Sequence, residues 1–434
     1  MFKVTKSFLE NKFARNVALV ATGAAGAQLI SIACAPLVAR LYGPEAFGLL
    51  GSFTALLLIL APLGALSYPI AIVLPKHDRD AFGLAWLSLL LALSSVIFFT
   101  ILIALCGKTV LSILNLEALG DFIWLLPFAM LFSVAAAIGN QWVIRKKLFH
   151  LKAKVAILQS AFINLTKLGI GFFNPIASVL ICITTLGGAL HASMLYMGIR
   201  KQKKSSEGDG LVELGLLNLD GYRQLAWRHR DFAFYRTPQI FLNSTSQGLP
   251  VLILVAFFGP VSAGFYSLCR VVLSVPSTLI GQSMASVFYP RFNEAVLSNE
   301  NSYKLLLKST LSMAAIGVIP FGLIIFFGPW LFTAIFGEDW LEAGIYAQWL
   351  ALWSFFAFLN RPSVAAIPVL GLQGYFLIYE VVSVALRVFA LYIGFMFYEN
   401  ATTAIALFSA VGVVLNIWLI LRTLKATRVN LENE

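Results

Sequence analysis

Long apolar runs of about twenty residues follow one another along this chain, separated by short polar turns. The runs are continuously apolar, without the alternation that a barrel strand needs, so each reads as a helix of bilayer length. The pattern predicts helices over 17–42, 47–75, 81–106, 122–144, 155–173 and 176–199. A second series covers 232–258, 263–289, 309–327, 344–364, 376–398 and 402–424. The longest polar stretch, 200–230, separates the two series. Lys201, Lys203, Lys204, Ser205, Ser206, Gly208 and Gly210 mark it as a solvated linker. Within it, 214–227 has the spacing of a short interfacial helix.

The two series repeat one another. Gly43-Pro44-Glu45-Ala46-Phe47-Gly48 recurs as Gly259-Pro260-Val261-Ser262-Ala263-Gly264, 216 positions later. Each copy follows an apolar run and opens another. Each following run closes on a proline and a cation, Pro75-Lys76 and Pro290-Arg291. This is an internal duplication: an N-lobe at 1–199, a linker at 200–230 and a C-lobe at 231–434. The expected architecture is an all-α integral membrane protein of about twelve helices in two six-helix lobes. An even number of helices per lobe makes the repeat parallel, with its axis along the membrane normal.

Composition agrees. Hydrophobic residues make up 59% of the chain and charged residues only 12%. The mean hydropathy is +0.86, far from that of a soluble domain. The net charge of +11 could suggest nucleic acid. Its placement excludes that reading: about 24 of the 31 Lys and Arg fall in segments that cytoplasmic N and C termini would place inside. The outer loops carry Lys108 beside Glu117, Asp121, Glu338, Asp339 and Glu342. The four cations before the first long run do not resemble a cleavable signal. Cys34, Cys106, Cys182 and Cys269 stand in separate apolar runs and read as small buried hydrophobes, with no metal expected.

A few cations remain inside helices: Arg40, Lys167, Arg236, Arg270, Arg361 and Arg387. Each costs about 2.5–3.5 kcal/mol at a helix centre, so such residues face a bundle interior or a wet cavity. Lys167 lies roughly 18 Å into its helix, near mid-bilayer. Arg387 has a similar depth, and the two are 220 positions apart, as are Asn140 and Asn360. Equivalent cations in the two lobes are expected to form an anion site. Arg40 and Arg236 stand near helix ends, where snorkelling explains them as well. Arg361 is expected to pair with Glu380, the one acid well inside a helix, and the pair is a candidate for coupling or gating. Asn164, less than a turn from Lys167, is the second candidate for the anion site. Gln28, Asn243, Gln247 and Gln282 fit helix–helix hydrogen bonding.

There is no G-x-x-x-x-G-K-[ST] sequence for nucleotide-driven transport. His77, His150, His191 and His229 are expected near membrane boundaries or loops, with no catalytic constellation around them. No enzyme activity and no cofactor are expected; secondary transport or exchange is.

Several ordered stretches resemble one family. Ala39-Arg40-Leu41-Tyr42-Gly43-Pro44-Glu45-Ala46-Phe47-Gly48 resembles the first outer turn of Wzx-type O-antigen and polysaccharide flippases. So do Tyr235-Arg236-Thr237-Pro238, Phe257-Phe258-Gly259-Pro260 with Gly264-Phe265-Tyr266 and Arg270, and Pro276-Ser277-Thr278-Leu279-Ile280-Gly281. Val287-Phe288-Tyr289-Pro290 and Phe336-Gly337-Glu338-Asp339-Trp340 complete the set. The resemblance implies the multidrug/oligosaccharidyl-lipid/polysaccharide exporter fold, with two lobes in a MATE-like V. It implies an undecaprenyl-pyrophosphate-linked oligosaccharide as substrate and the bacterial inner membrane as location. Its expected partners are that lipid-linked oligosaccharide, membrane lipids, a polysaccharide polymerase and a chain-length regulator, with the protein itself a monomer.

The cationic helices fit a pyrophosphate independently. Related drug exporters carry a membrane-embedded carboxylate that the first half lacks. A lipid II flippase would carry two more C-terminal helices, and a polymerase or ligase a large outer loop. These stay as alternatives.

Overall fold

The structure, a computed structural model, describes residues 12–113, 116–204, 219–298 and 300–432. Residues 1–11, with Lys3 and Lys6 of the cations before the first run, and residues 205–218 of the expected linker lie outside these. The described residues are helical, with no strand among them. Among the described residues, eight helices are long and apolar enough to cross a membrane. Their surfaces are those of a lipid-facing protein: Leu105, Phe326 and Phe397 are 77–79% exposed.

In chain order the helices begin with α1 (Lys12–Gly64), α2 (Tyr68–Ala71), α3 (Asp78–Ile113), α4 (Leu126–Arg145), α5 (Phe149–Gly171), α6 (Ala177–Lys204) and α7 (Leu219–Arg228). They continue with α8 (Thr237–Leu279), α9 (Gly281–Leu297), α10 (Ser302–Phe336), α11 (Leu341–Leu359), α12 (Arg361–Ala366), α13 (Gln373–Tyr398) and α14 (Ala401–Glu432). A 3-10 segment, Glu117–Leu125, leads into α4, and a π turn, Phe232–Arg236, leads into α8. Most expected runs extend by a turn or more. The run at 309–327, for example, is part of a helix from Ser302 to Phe336.

α1 and α8 are each two helices joined by a kink. Gly43 has φ 71° and ψ 174°, and Gly259 has φ 81° and ψ 173°. Only glycine adopts this region without strain. The following Pro44 and Pro260 remove an N–H that a helix start leaves unpaired, so the chain re-enters helix at once.

Three expected helices are interrupted, two of them by proline. The run 47–75 stops at Gly64 and restarts as α2. Pro69 in a continuous helix would clash with the Ala65 carbonyl, and Leu66 and Ser67 turn with φ of 47° and 57°. The run 344–364 breaks at Asn360, because Pro362 imposes the same clash one turn earlier. The run 263–289 also breaks, at Ile280.

Contacts divide the chain into two units. One is Met1–Tyr42 with Leu49–Leu252; the other is Gly43–Gly48 with Ile253–Glu434. The division follows packing and not chain order, so it falls inside α8, downstream of the 200–230 stretch. In the first unit α6 packs on α4 and α5, and α3 on α4. Small residues let the backbones approach: a Cβ on Gly23 would touch Ala153, and one on Gly26 would meet Ile157. The expected interfacial helix at 214–227 is found as α7, shifted to Leu219–Arg228. Leu225 packs with Tyr68, Ile72 and Leu84, and Tyr68 Oη donates to the Ala226 carbonyl at 3.1 Å.

In the second unit α10 packs along α11, and α14 along α11 and α13. Trp340 is 1% exposed and meets Phe47, Phe265 and Phe336 edge-on or tilted, at centroid distances of 5.3, 5.9 and 6.5 Å. Of the cysteines only Cys269 is buried, its Sγ donating to the Ala343 carbonyl at 3.0 Å. Cys106 and Cys182 are exposed. In lipid the apolar medium outside a bundle accepts a thiol as readily as the core does, so an apolar run does not imply burial.

Candidate functional site

The second unit places several of the charged residues found inside helices on neighbouring elements. After its kink α8 carries Tyr266 and Arg270, four apart and therefore on one face. α13 carries Tyr379, Glu380 and Arg387; α11 supplies Trp353 and α14 Phe408. The Arg387 guanidinium lies over the Trp353 ring at 5.3 Å and the Phe408 ring at 5.7 Å. Its Nε donates to the Ser383 carbonyl at 3.1 Å. Trp353 and Phe408 meet edge to face at 5.2 Å, and Phe408 meets Tyr266 at 6.4 Å.

Tyr266 is 2% exposed. Arg270 follows it by one turn on α8, and Arg387 shares the Phe408 ring with it, so cations from two helices stand near one buried phenol. Glu380 and Tyr379 lie within electrostatic reach of Arg387. Two guanidinium groups against one carboxylate leave the cluster positive. Aromatic faces hold Arg387 in place and leave its other N–H groups to serve an oxyanion.

The remaining candidates are placed separately. Lys167 is a half-buried residue of α5 in the first unit, and among the described residues no salt bridge involves it. Its carbonyl accepts the Tyr42 hydroxyl at 2.8 Å, and Gly171, one turn on, lies against the Tyr42 ring. Asn164 shares the α5 face of Lys167. Its Nδ2 donates to the Ser160 carbonyl at 2.8 Å and to Ser31 Oγ at 3.3 Å, tying α5 to α1.

Arg40 is exposed near the end of the first half of α1. Arg236 is exposed and donates locally to Gln239 Oε1 at 2.8 Å. The expected Arg361–Glu380 ion pair is not formed. Arg361 is exposed at the start of α12, its guanidinium 3.4 Å from where a Cβ on Gly281 would stand. Glu380 lies two turns before Arg387 on α13 and so shares a helix face with that residue.

Tyr266, Trp353 and Phe408, which the sequence did not single out as site residues, form the cradle of the cluster. The available signal was Tyr266 four residues before Arg270. A second polar group was also missed. His191 lies midway along α6, well away from the boundary expected for it, and bonds to Asn140 and Gln159. In the second unit the residue matching Asn140 donates differently: Asn360 Nδ2 meets Asn416 Oδ1 at 2.9 Å.

Solved structures share this fold across nearly the whole chain. A lipid II flippase, MurJ, in an inward closed conformation superposes with a TM-score of 0.72 at 12% identity, covering 96% of this chain and 90% of that one. An inward-facing multidrug resistance MATE family transporter of the MOP superfamily gives 0.65 at 12% identity, covering 95% and 94%. An outward-facing transporter of the same description gives 0.59 at 13%, covering 98% and 97%. No curated protein matches by sequence. At these identities the likeness shows the fold alone, an all-helical one whose long apolar helices make a multi-pass membrane protein. A family model described as "Polysaccharide biosynthesis protein" matches residues 37–344, from just before the first glycine-proline turn through the Gly337–Gly344 stretch. The chain belongs to that polysaccharide biosynthesis family.

Proposed function

We propose that this protein is a flippase that carries an undecaprenyl-pyrophosphate-linked oligosaccharide, an O-antigen or other polysaccharide repeat unit, across the bacterial inner membrane. The observation that carries the reading is the Arg387 guanidinium seated on the Trp353 and Phe408 rings inside a membrane helix bundle, with Tyr266 against the same Phe408 ring and Arg270 one turn on from Tyr266. Membrane-embedded cations are costly unless they do something, and a pyrophosphate presents several oxyanions for guanidinium groups. Membership of a polysaccharide family supplies the cargo class, and a transporter fold supplies the activity.

In this reading the headgroup enters from the cytoplasm and engages Arg387 and Arg270, with Glu380 restraining Arg387 until the anion arrives. Lys167 with Asn164 is the corresponding anion-binding candidate of the first unit. Arg40 and Arg236 serve the headgroup nearer the helix ends, and Arg361 has a gating role. The polyprenyl tail stays in the bilayer, and the cationic groups open to the two faces in turn. Twelve spanning segments, with both termini cytoplasmic, complete the proposal. The protein works as a monomer beside a polymerase and a chain-length regulator, without chemistry of its own.

The test is translocation in proteoliposomes of a fluorescent polyprenyl-pyrophosphate oligosaccharide. Wild type is compared with Arg387→Gln, Arg270→Gln and Lys167→Ala. Each lost charged contact is worth about 1.5–3 kcal/mol, or roughly 10–100-fold in apparent affinity. Undiminished flipping in all three variants would remove the site and keep the activity. Uptake of a cationic dye with no lipid flipping would sink the substrate class. A preference for lipid II would move the assignment to that alternative, and covalent change of the substrate to a membrane enzyme.

A further inference from the structure

His191 sits in a hydrogen-bond chain that fits only its neutral form. Asn140 Nδ2 on α4 stands 3.1 Å from His191 Nε2 and donates to the Ala136 carbonyl at 2.9 Å. A carbonyl only accepts, so the amide must present its nitrogen to both, and Nε2 must be the acceptor. On the other side His191 Nδ1 is 2.7 Å from Gln159 Oε1 on α5. Gln159 Nε2 donates to the Gly187 carbonyl at 3.0 Å, which fixes that amide as well. The imidazole therefore carries its hydrogen on Nδ1 and joins three helices of the first unit through one donor and one acceptor.

A proton on Nε2 destroys this arrangement. It turns Nε2 into a donor aimed at the Asn140 amide, which is also a donor. Turning the amide over does not help, because its oxygen would then face the Ala136 carbonyl. The imidazolium is satisfied only if the Asn140 side chain leaves Nε2, which removes the hydrogen bond that joins α4 to α6 there. The charged side chain within electrostatic reach of His191 is Lys152 on α5; no carboxylate among the described residues acts on it. α4 presents Asn140, α5 presents Gln159 and Lys152, and α6 carries no other charge before Arg200 near its end. The second unit has the same asparagine but pairs Asn360 with Asn416, which cannot titrate. The device belongs to one unit.

We propose that His191 is a proton-binding site whose occupancy is read out by the α4–α6 interface, making the proton the ion to which the first unit responds. Imidazole changes charge between about pH 5 and 8, where a proton gradient across a membrane can act on it. The proposal does not depend on the cargo, and its test uses no lipid-linked sugar, so its failure is separate from failure of the flippase reading.

The full-length protein is reconstituted in lipid with 15N-histidine for solid-state NMR. A second sample carries spin labels at positions 128 of α4 and 186 of α6, both exposed. In wild type the His191 signal should be neutral and Nδ1-protonated at pH 8 and charged at pH 5, and the label distance should change with the same midpoint. His191→Gln should abolish both changes. Asn140→Leu removes the opposing donor, so the imidazole should still titrate while the label distance stays constant. A His191 that remains neutral down to pH 5, or shows the Nε2-protonated tautomer at pH 8, overturns the proposal. So does a distance change that survives in either variant.

Discussion

Gly48 and Gly264 are each packed against the proline carbonyl of the other's turn. A Cβ on Gly48 would collide with the Pro260 carbonyl oxygen, and a Cβ on Gly264 with the Pro44 carbonyl oxygen. The final glycine of each G-P-x-x-x-G is therefore what lets the two turns lie backbone to backbone. The first glycine, at positive φ with nothing near it, makes the kink. One six-residue pattern thus uses glycine for two physical reasons.

Gly48→Ala and Gly264→Ala should each destabilise the protein by about 1–3 kcal/mol or more, because a backbone carbonyl cannot step aside as a side chain can. Gly169→Ala, with no atom in reach of a new Cβ, should be neutral or slightly stabilising through helix propensity. Thermal unfolding in detergent distinguishes them; equal midpoints for Gly48→Ala and Gly169→Ala would refute the packing account.

Arg145 should matter more than the acid it pairs with. Its side chain is 10% exposed, and Nη1 donates to the Pro75 carbonyl at 2.6 Å and the Ile72 carbonyl at 3.2 Å. It also pairs with Asp78 at 3.0 Å, and Lys146 reaches the same carboxylate. Asp78 is half exposed, so Asp78→Asn should cost under about 1 kcal/mol and depend on salt. Arg145→Ala strips partners from the loop carbonyls and should cost about 1.5–3 kcal/mol. Unfolding midpoints at low and high salt test the ordering.

Asn360 and Asn416 should show strong coupling. Both are buried, and Asn416→Leu leaves the Asn360 amide facing an apolar wall. The single change should cost about 1 kcal/mol, and the double change to Leu should recover part of it, because no polar group is then left alone. A double-mutant cycle on unfolding free energy reads the coupling; simple additivity would contradict it.

Arg387→Lys keeps the charge and loses the planar stack on Trp353 and Phe408. Trp353→Leu removes the platform and keeps the guanidinium. Each should slow translocation about 2–30-fold, the equivalent of roughly 0.5–2 kcal/mol of cation–π attraction. Both act on the same contact, so the double variant should be little worse than either alone. Initial flipping rates decide it, and fully multiplicative losses would show that the stack is not the link.

The membrane class and the twin glycine-proline turns were legible in the chain itself. Run length, continuous apolarity and Gly-Pro spacing act locally, and a bilayer leaves helix as the available way to satisfy an apolar segment's backbone. Arg387 and Arg270 were legible as well, since a cation inside an apolar run stands out whatever it touches.

What surrounds those cations was decided only in three dimensions. Tyr266, Trp353 and Phe408 look like any membrane aromatic until α8, α11 and α14 bring them to one guanidinium. Glu380 is equally compatible with Arg361 or Arg387 until the turn of α13 selects the second. His191 reads as one of four scattered histidines until Asn140 and Gln159 arrive from two other helices to set its tautomer. Composition and periodicity report how a residue relates to its solvent and its near neighbours on the chain; which donor meets which acceptor depends on helix rotation and register, and those are set by the summed packing of the whole bundle.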